Sequence, residues 1–225
     1  MDSFTTLPSE LLTLICHHVP NHTDLLSLSL VSQRLSTPAQ TTVFIRRGLC
    51  LRSARRAKSL VPQLLSQLHL VRSIHSIRLT TYAFPLSNLN AFVALRHLVL
   101  WTAEPAHVAV LPSFPALEEL LVVPRATMRV FTKTQIAPVF SQHALRTLTL
   151  GPIIITSISS PWPASPHQAP ITSLTLVDAS VARAFDDPTS PLDVGALQEY
   201  RASASDWYPS AAAGQLHTLV ASHAS

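Results

Sequence analysis

Glycine is scarce in this chain of 225 residues: 4 occur, against 18 prolines. Gly48, Gly151, Gly195 and Gly214 stand alone, so no glycine-rich loop is available to wrap a phosphate. Cys16 and Cys50 are too few for a disulfide framework. Charged residues make up 12% and aromatic residues 6%. No apolar run approaches the ~18 residues that a membrane span needs. The opening Met-Asp-Ser-Phe-Thr-Thr carries neither the basic nor the apolar region of a signal peptide. These absences predict a reducing, intracellular setting, cytoplasmic or nuclear, with no membrane partner.

Acidic residues are missing over a long stretch. None occurs between Asp24 and Glu104, while Arg34, Arg46, Arg47, Arg52, Arg55, Arg56, Lys58, Arg72, Arg78 and Arg96 do. The net charge is only +4, so the basicity is local. It is either a solvated face or an attraction for an acidic partner.

What is present is apolar. Hydrophobic residues make up 47%, enough to bury a core and to argue against global disorder. The length suits one moderate domain plus a small helical module.

The module is legible at the N-terminus. Leu7, Leu11, Leu12, Ile15 and Val19 recur at helical spacing. Pro8 and Glu10 suit a first turn and Pro20 ends the run. Thr23 and Asp24 predict a second start, followed by Leu25, Leu28, Val31, Ser32 and Leu35 on one stripe. A third helix is expected from Thr37 as cap, with Pro38 in its first turn and Gln40 completing a capping box. Gly48 is its expected C-cap. Three short helices cannot bury all this leucine among themselves, so surplus apolar surface implies a partner.

Leu-Pro-Ser-Glu-Leu-Leu-Thr-Leu-Ile at 7–15 and Asp-Leu-Leu-Ser-Leu-Ser-Leu-Val-Ser-Gln-Arg-Leu at 24–35 resemble the F-box pattern in order and spacing. The resemblance implies docking onto the Skp-type adaptor of cullin–RING ubiquitin ligases. By position it implies contacts from Leu7, Pro8, Leu11, Leu12 and Ile15, continued by Leu25, Leu28, Val31, Arg34 and Leu35. The family often has Trp where this chain has Leu35, a departure that weakens packing there.

The remainder repeats. Ile74–Leu79, Leu95–Leu100, Leu117–Val122, Leu145–Leu150 and Ile171–Leu176 share the form L-x-x-L-x-L with aliphatic exchange. Degenerate copies begin at Leu197 and Leu216, and successive starts lie 21, 22, 28, 26, 26 and 19 residues apart by subtraction. No such unit buries its leucines alone, so the strands must stack in parallel. This is similar to the irregular leucine-rich repeats that follow F-boxes in many fungal proteins. The expected fold is thus α/β: a three-helix F-box at 1–48, a helical linker or first coil at 49–72, and a short, irregular repeat solenoid with a parallel sheet at 73–225. The asparagine of regular repeats is missing; Tyr82, Ala103, Arg125, Ile153 and Ala179 stand near its place. Unrelated strands in an ordinary α/β domain are the alternative.

Smaller features fill in the rest. Leu49-Cys50-Leu51 is a candidate strand, and Ser53 a candidate cap for a basic helix to about Leu60, where Pro62 interrupts or restarts it. Ser160 to Pro170 and Asp186-Asp187-Pro188 to Pro191 read as loops. Ending just after the seventh candidate strand, the array is expected to be incomplete or to dimerise there.

Chemistry is thin. Cys16, His17, His18 and His22 cluster without metal-ligand spacing. No Gly-x-Ser-x-Gly elbow exists. Glu118-Glu119 on a strand point to opposite faces and Asp186-Asp187 lie in a loop, so neither is an acid/base pair. Arg52, Arg55, Arg56 and Lys58 lack the interleaved aromatics of a nucleic-acid surface. The expectation is a non-enzymatic protein with no cofactor, no metal and no nucleic acid. Recognition is expected on the outward strand positions: Arg78, His97, Val99, Trp101, Glu119, Leu121, Thr147, Thr149, Ser173 and Thr175. Trp101 is the anchor there unless it packs onto the next coil, and Trp162 and Trp207 stand in reserve. The reading is a substrate-recognition adaptor of a ligase with an unknown protein target. The alternative is a repeat scaffold whose F-box-like helices act as a cap.

Overall fold

The structure, a computed structural model, describes residues 7–81, 84–101, 103–123, 129–156, 160–163, 169–177, 184–185, 189–203 and 218–222. Tyr82, Arg125, Ala179, Asp186, Asp187 and Trp207 lie outside these residues, so the readings placed on them have no counterpart here.

Three helices come first: α1 (Ser9–His18), α2 (His22–Val31) and α3 (Gln33–Arg47). The leucine stripe does not run unbroken from Leu25 to Leu35. Ser32 is extended, with φ −148°, and its hydroxyl accepts the Arg34 N–H at 3.3 Å. A serine that caps the following helix ends the preceding one, although helical spacing of the leucines continues across it. The expected start at Thr37 is therefore not made, and Pro38 lies inside α3. Gln40 instead donates to the Ser36 hydroxyl at 3.2 Å. The second helix begins at His22 with Asn21 as its N-cap, rather than at Thr23-Asp24. At the far end of α3 the Phe44 carbonyl receives the Gly48 N–H at 2.9 Å, with Gly48 at φ 65°.

From Gly48 the chain enters a parallel sheet. β1 (Leu49–Leu51), β2 (Ser76–Leu79), β3 (His97–Leu100), β4 (Glu119–Val122), β6 (Thr147–Leu150), β8 (Ser173–Leu176), β9 (Glu199–Ser203) and β10 (Thr218–Ser222) line up in chain order. All pairs along this sheet are parallel. Within this sheet, each strand from β2 onward starts two residues after the first aliphatic residue of its sequence repeat. The registers place Ile77, Leu98, Leu120, Leu148, Leu174 and Tyr200 in one inward column. Leu51, Leu79, Leu100, Val122, Leu150 and Leu176 form the other. Both columns are buried, and truncating such a leucine typically costs about 2–5 kcal/mol.

Entry into β3, β4, β6, β8 and β9 is knitted by a shared acceptor. The His75 carbonyl takes the N–H groups of Arg96 and His97; the Arg96 carbonyl takes those of Glu118 and Glu119; Glu118, Arg146 and Thr172 repeat the pattern. At strand exits the N–H groups of Trp101, Val123, Gly151 and Val177 bond to Leu79, Leu100, Val122 and Leu150. Main chain thus satisfies main chain across neighbouring turns.

The return segments vary. Between β1 and β2 run α4 (Ala54–Leu65) and α5 (Leu68–Ser73). Ser53 caps α4 by accepting the Arg56 N–H at 3.3 Å, and the helix continues through Pro62 instead of stopping near Leu60. A 3-10 turn at Leu86–Leu89 precedes β3, and α6 (Pro105–Ala109) precedes β4. The wider spacing before β6 and β8 holds β5 (Arg129–Thr132), α7 (Lys133–Phe140) and β7 (Ile153–Thr156). β5 and β7 pair in parallel as a separate two-stranded sheet. The chain is therefore a mixed α/β protein with a parallel main sheet.

Candidate functional site

The helical module has its own small core of Leu12, Cys16, Leu25, Leu35 and Ala39. α3 supports both other helices, and two arginines brace them. The Arg34 guanidinium donates to the Leu7 carbonyl at 2.6 Å. Arg46 donates to the carbonyls of His17 and Val19, which α1 leaves unpaired at its C-terminus.

Around this core stands a second set of leucines that faces solvent. Leu11, Leu14 and Ile15 are exposed on α1 at spacings that share one face. Leu26 and Leu30 do the same on α2, with Val31 beside them; Leu30 is 87% and Val31 77% exposed. Exposure to that degree of several large aliphatic side chains on two short helices is uncommon on a protein surface.

Against the expected contact set, the structure divides the residues. Pro8, Leu11, Ile15, Val31 and Arg34 are exposed, and Leu7 and Leu28 are half-buried. Leu12, Leu25 and Leu35 are corrections: at 1%, 0% and 7% exposure they fill the module core and cannot form a contact face. Arg34 is also tied to the Leu7 carbonyl, so it braces the module. Leu14, Leu26 and Leu30 were missed. Nearly every apolar position in α1 and α2 is a leucine-like residue, so spacing alone does not say which side packs inward.

The sheet offers a second surface. Its outward residues form two rows set by register. One row is Cys50, Arg78, Val99, Leu121, Thr149, Thr175 and Arg201; the other is Ser76, His97, Glu119, Thr147, Ser173 and Glu199. Of the expected positions, Arg78, His97, Val99, Glu119, Leu121, Thr147, Thr149, Ser173 and Thr175 sit on this face, while Trp101 falls just outside the strand. His97 Nδ1 lies 2.8 Å from Glu119 Oε2. Arg96 and Glu118, at the strand entries, pair at 3.3 Å. At the far end Glu199 accepts from the Ser173 hydroxyl at 3.0 Å and from Arg201 Nε at 2.8 Å. The Ser173 hydrogen bond first, and then Arg201, hold the Glu199 carboxyl below the usual carboxylate range. Trp101 follows β3 directly and is 40% exposed.

Trp162 is another correction. It is buried, stacked on Phe185 at 5.4 Å between ring centroids and edge-on to Phe140 at 5.6 Å. Its indole N–H donates to the Ala184 carbonyl at 2.9 Å, and Lys133 Nζ lies 5.6 Å from its ring centroid. An indole satisfied inside an aromatic cluster is a core residue, not a docking anchor.

The cysteine–histidine cluster is pulled apart. Cys16 faces the module core, where burial pushes its thiol pKa up, while His17 and His18 are exposed. Among the described residues no three His, Cys, Asp or Glu side chains are placed to hold a metal ion. Among them, too, no helix is long and apolar enough to cross a membrane.

The chain matches no known family's sequence model. No curated protein matches it in sequence.

Proposed function

We propose that this chain is a non-enzymatic adaptor. The three N-terminal helices act as an F-box that docks onto the Skp-type subunit of a cullin–RING ubiquitin ligase. A leucine-rich-repeat-like sheet then holds a protein target near the ubiquitin carrier. The observation that carries this reading is the solvent-facing set Leu11, Leu14, Ile15, Leu26 and Leu30 around a module that already has a core. Exposed aliphatic side chains of that size and number favour coverage by a partner. The residues that resemble the F-box pattern, 7–15 and 24–35, are the ones that carry it. Catalysis is proximity: the adaptor supplies binding on two faces and no reacting group.

A second reading keeps the helices as a cap for the repeat sheet. Phe44 of α3 packs against the main core, and α3 lies against α5, which favours it. A cap, however, uses the inward side of α3 and leaves the α1 and α2 leucines uncovered.

Co-elution of the purified chain with a recombinant Skp-type adaptor separates the two. The wild type is expected to co-elute, and the exposed double variant Leu11→Asp, Leu30→Asp to lose more than about tenfold in affinity, a change of ~1.4 kcal/mol or more. Equal binding by the variant, or no binding by the wild type, rejects the adaptor reading.

A further inference from the structure

We infer that the outward side of α4 is a docking surface for an acidic peptide segment carrying one apolar side chain. This surface is distinct from both the α1–α2 leucines and the exposed sheet face. The inference does not depend on ligase docking. Helix α4 buries Ala57, Val61 and Leu64 toward the inward side of β1, so its opposite surface points away from the sheet face that carries Cys50 and Arg78.

Two cavities flank that outward surface. One, of about 410 Å³, lies where α4 meets the 3-10 turn before β3, and Pro62, Leu65, Phe84, Ala91 and Lys58 line it. The other, of about 380 Å³, is bordered by Arg55, Arg56, Ser59 and Leu60 on the same helix. Both are walled mainly by carbon, with Lys58, Ser87 and Asn88 as the polar groups at the first and Arg55, Arg56 and Ser59 at the second. Arg52, Arg55, Arg56 and Lys58 are exposed, and among the described residues their side chains have no hydrogen bond or ion pair. The sequence favours this arrangement: with no Asp or Glu between Asp24 and Glu104, the chain around α4 supplies no carboxylate to answer them.

The occupant follows from charge and shape. Unneutralised cations beside an apolar cavity fit a chain that supplies carboxylates around one aliphatic or aromatic side chain. An anionic membrane is a poorer fit, because the apolar stripe of this basic helix is already spent in the core. Nucleic acid is a poorer fit as well: Phe84, the aromatic residue at the cavity, is 1% exposed and offers no face for base stacking.

The test is fluorescence anisotropy on the full chain with four labelled probes: a Glu/Asp-rich peptide with one central Leu, the same peptide with Ser for that Leu, a Lys-rich peptide with the central Leu, and a single-stranded RNA. The first probe is expected to bind, to weaken several-fold without its Leu, and to weaken with added salt. The charge reversal Arg55→Glu, Arg56→Glu should lower its affinity at least tenfold, and Arg55→Gln, Arg56→Gln by an intermediate factor. Arg78→Glu, on the other face, and Leu11→Asp should bind as wild type does. Circular dichroism establishes that each variant is folded, and the Gln pair serves as the readout if the Glu pair is not. Absence of binding by the first probe, equal loss on Arg78→Glu, no loss in the folded α4 variants, or tighter binding of the RNA would each overturn the proposal.

Discussion

Gly48 approaches Ser76 so closely that a Cβ built on the glycine would stand 2.8 Å from the Ser76 Cβ and closer still to its carbonyl oxygen. The contact joins the last residue of the helical module to the first residue of β2. Gly48 also has φ 65° with ψ −168°, a region essentially reserved for glycine. Both the conformation and the space exclude a side chain. Gly48→Ala is expected to cost about 2–4 kcal/mol, adding backbone strain of ~1–3 kcal/mol to a clash with fixed backbone. Asparagine, which tolerates ordinary left-handed turns, should not rescue it. Chemical denaturation of Gly48→Ala and Gly48→Asn checks this; a loss below about 0.5 kcal/mol for either contradicts it.

The leucines of the first helices should fall into two classes. Leu12→Ala and Leu25→Ala remove side chains from the module core and are expected to destabilise it by about 2–5 kcal/mol. Leu14→Ala and Leu30→Ala remove exposed side chains and should shift stability by no more than about 0.5 kcal/mol. The measurement is urea unfolding followed by far-ultraviolet dichroism. It decides which leucines are free for a partner before any partner is added. It also shows why a substitution at Leu12 cannot test docking: unfolding and lost contact would look alike.

The thiols give an independent probe of the same module. Cys16 is fully buried and its thiol pKa is raised by burial, whereas Cys50 is exposed on β1. Maleimide labelling at neutral pH should modify Cys50 quickly and Cys16 only at the rate at which the module opens. Mass spectrometry of partly labelled protein, repeated with Leu30→Ala and Leu12→Ala, reads this directly. Labelling of Cys16 should accelerate in Leu12→Ala and stay unchanged in Leu30→Ala. Comparable rates for both cysteines in the wild type would contradict the burial.

The sheet was readable from the repeats because period-two alternation fixes both register and face. Leu98 and Leu100 point inward and His97 and Val99 outward on the same four residues, and their neighbours repeat the pattern. The return segments were less readable. Helix α7 starts with a capping box, Thr132 accepting from Gln135 N–H at 3.3 Å and Gln135 accepting from Thr132 N–H at 3.0 Å, which the sequence signals by Thr-x-x-Gln. A Pro138 inside the helix masks that signal. A shorter regularity also went unread: Phe92-Val-Ala-Leu95, Phe114-Pro-Ala-Leu117 and Gln142-His-Ala-Leu145 each turn the chain into the next strand. In each, the leucine N–H bonds back to the first residue's carbonyl, at 3.0, 3.1 and 3.4 Å. Within the helical module the limit was different. Spacing shows that leucines share a face but not which face meets a neighbour, and that depends on how α3 packs on α1 and α2.

The pH dependence should be set in part by His107. It lies at 4% exposure in α6, and its Nδ1 accepts the Glu104 N–H at 3.1 Å. That bond makes Nδ1 the bare nitrogen, so Nε2 carries the hydrogen and points at the Phe84 carbonyl, 3.4 Å away. Burial is the leading cause that lowers the pKa below the ordinary 6.5, with the Phe84 carbonyl and the Glu104 charge opposing it. The unfolded chain therefore binds a proton at a higher pH than the folded chain does. Stability from this residue is complete above pH 6.5 and falls as the pH drops from there through the lowered folded value. In that window the slope for one proton is at most about 1.4 kcal/mol per pH unit. His107→Gln keeps an acceptor for the Glu104 N–H and removes the titration. Urea unfolding across mildly acidic pH should show the wild type losing stability faster than His107→Gln, with the other histidines common to both chains. Parallel curves would mean that His107 takes up its proton equally in the folded and unfolded chains, which contradicts a pKa lowered by burial.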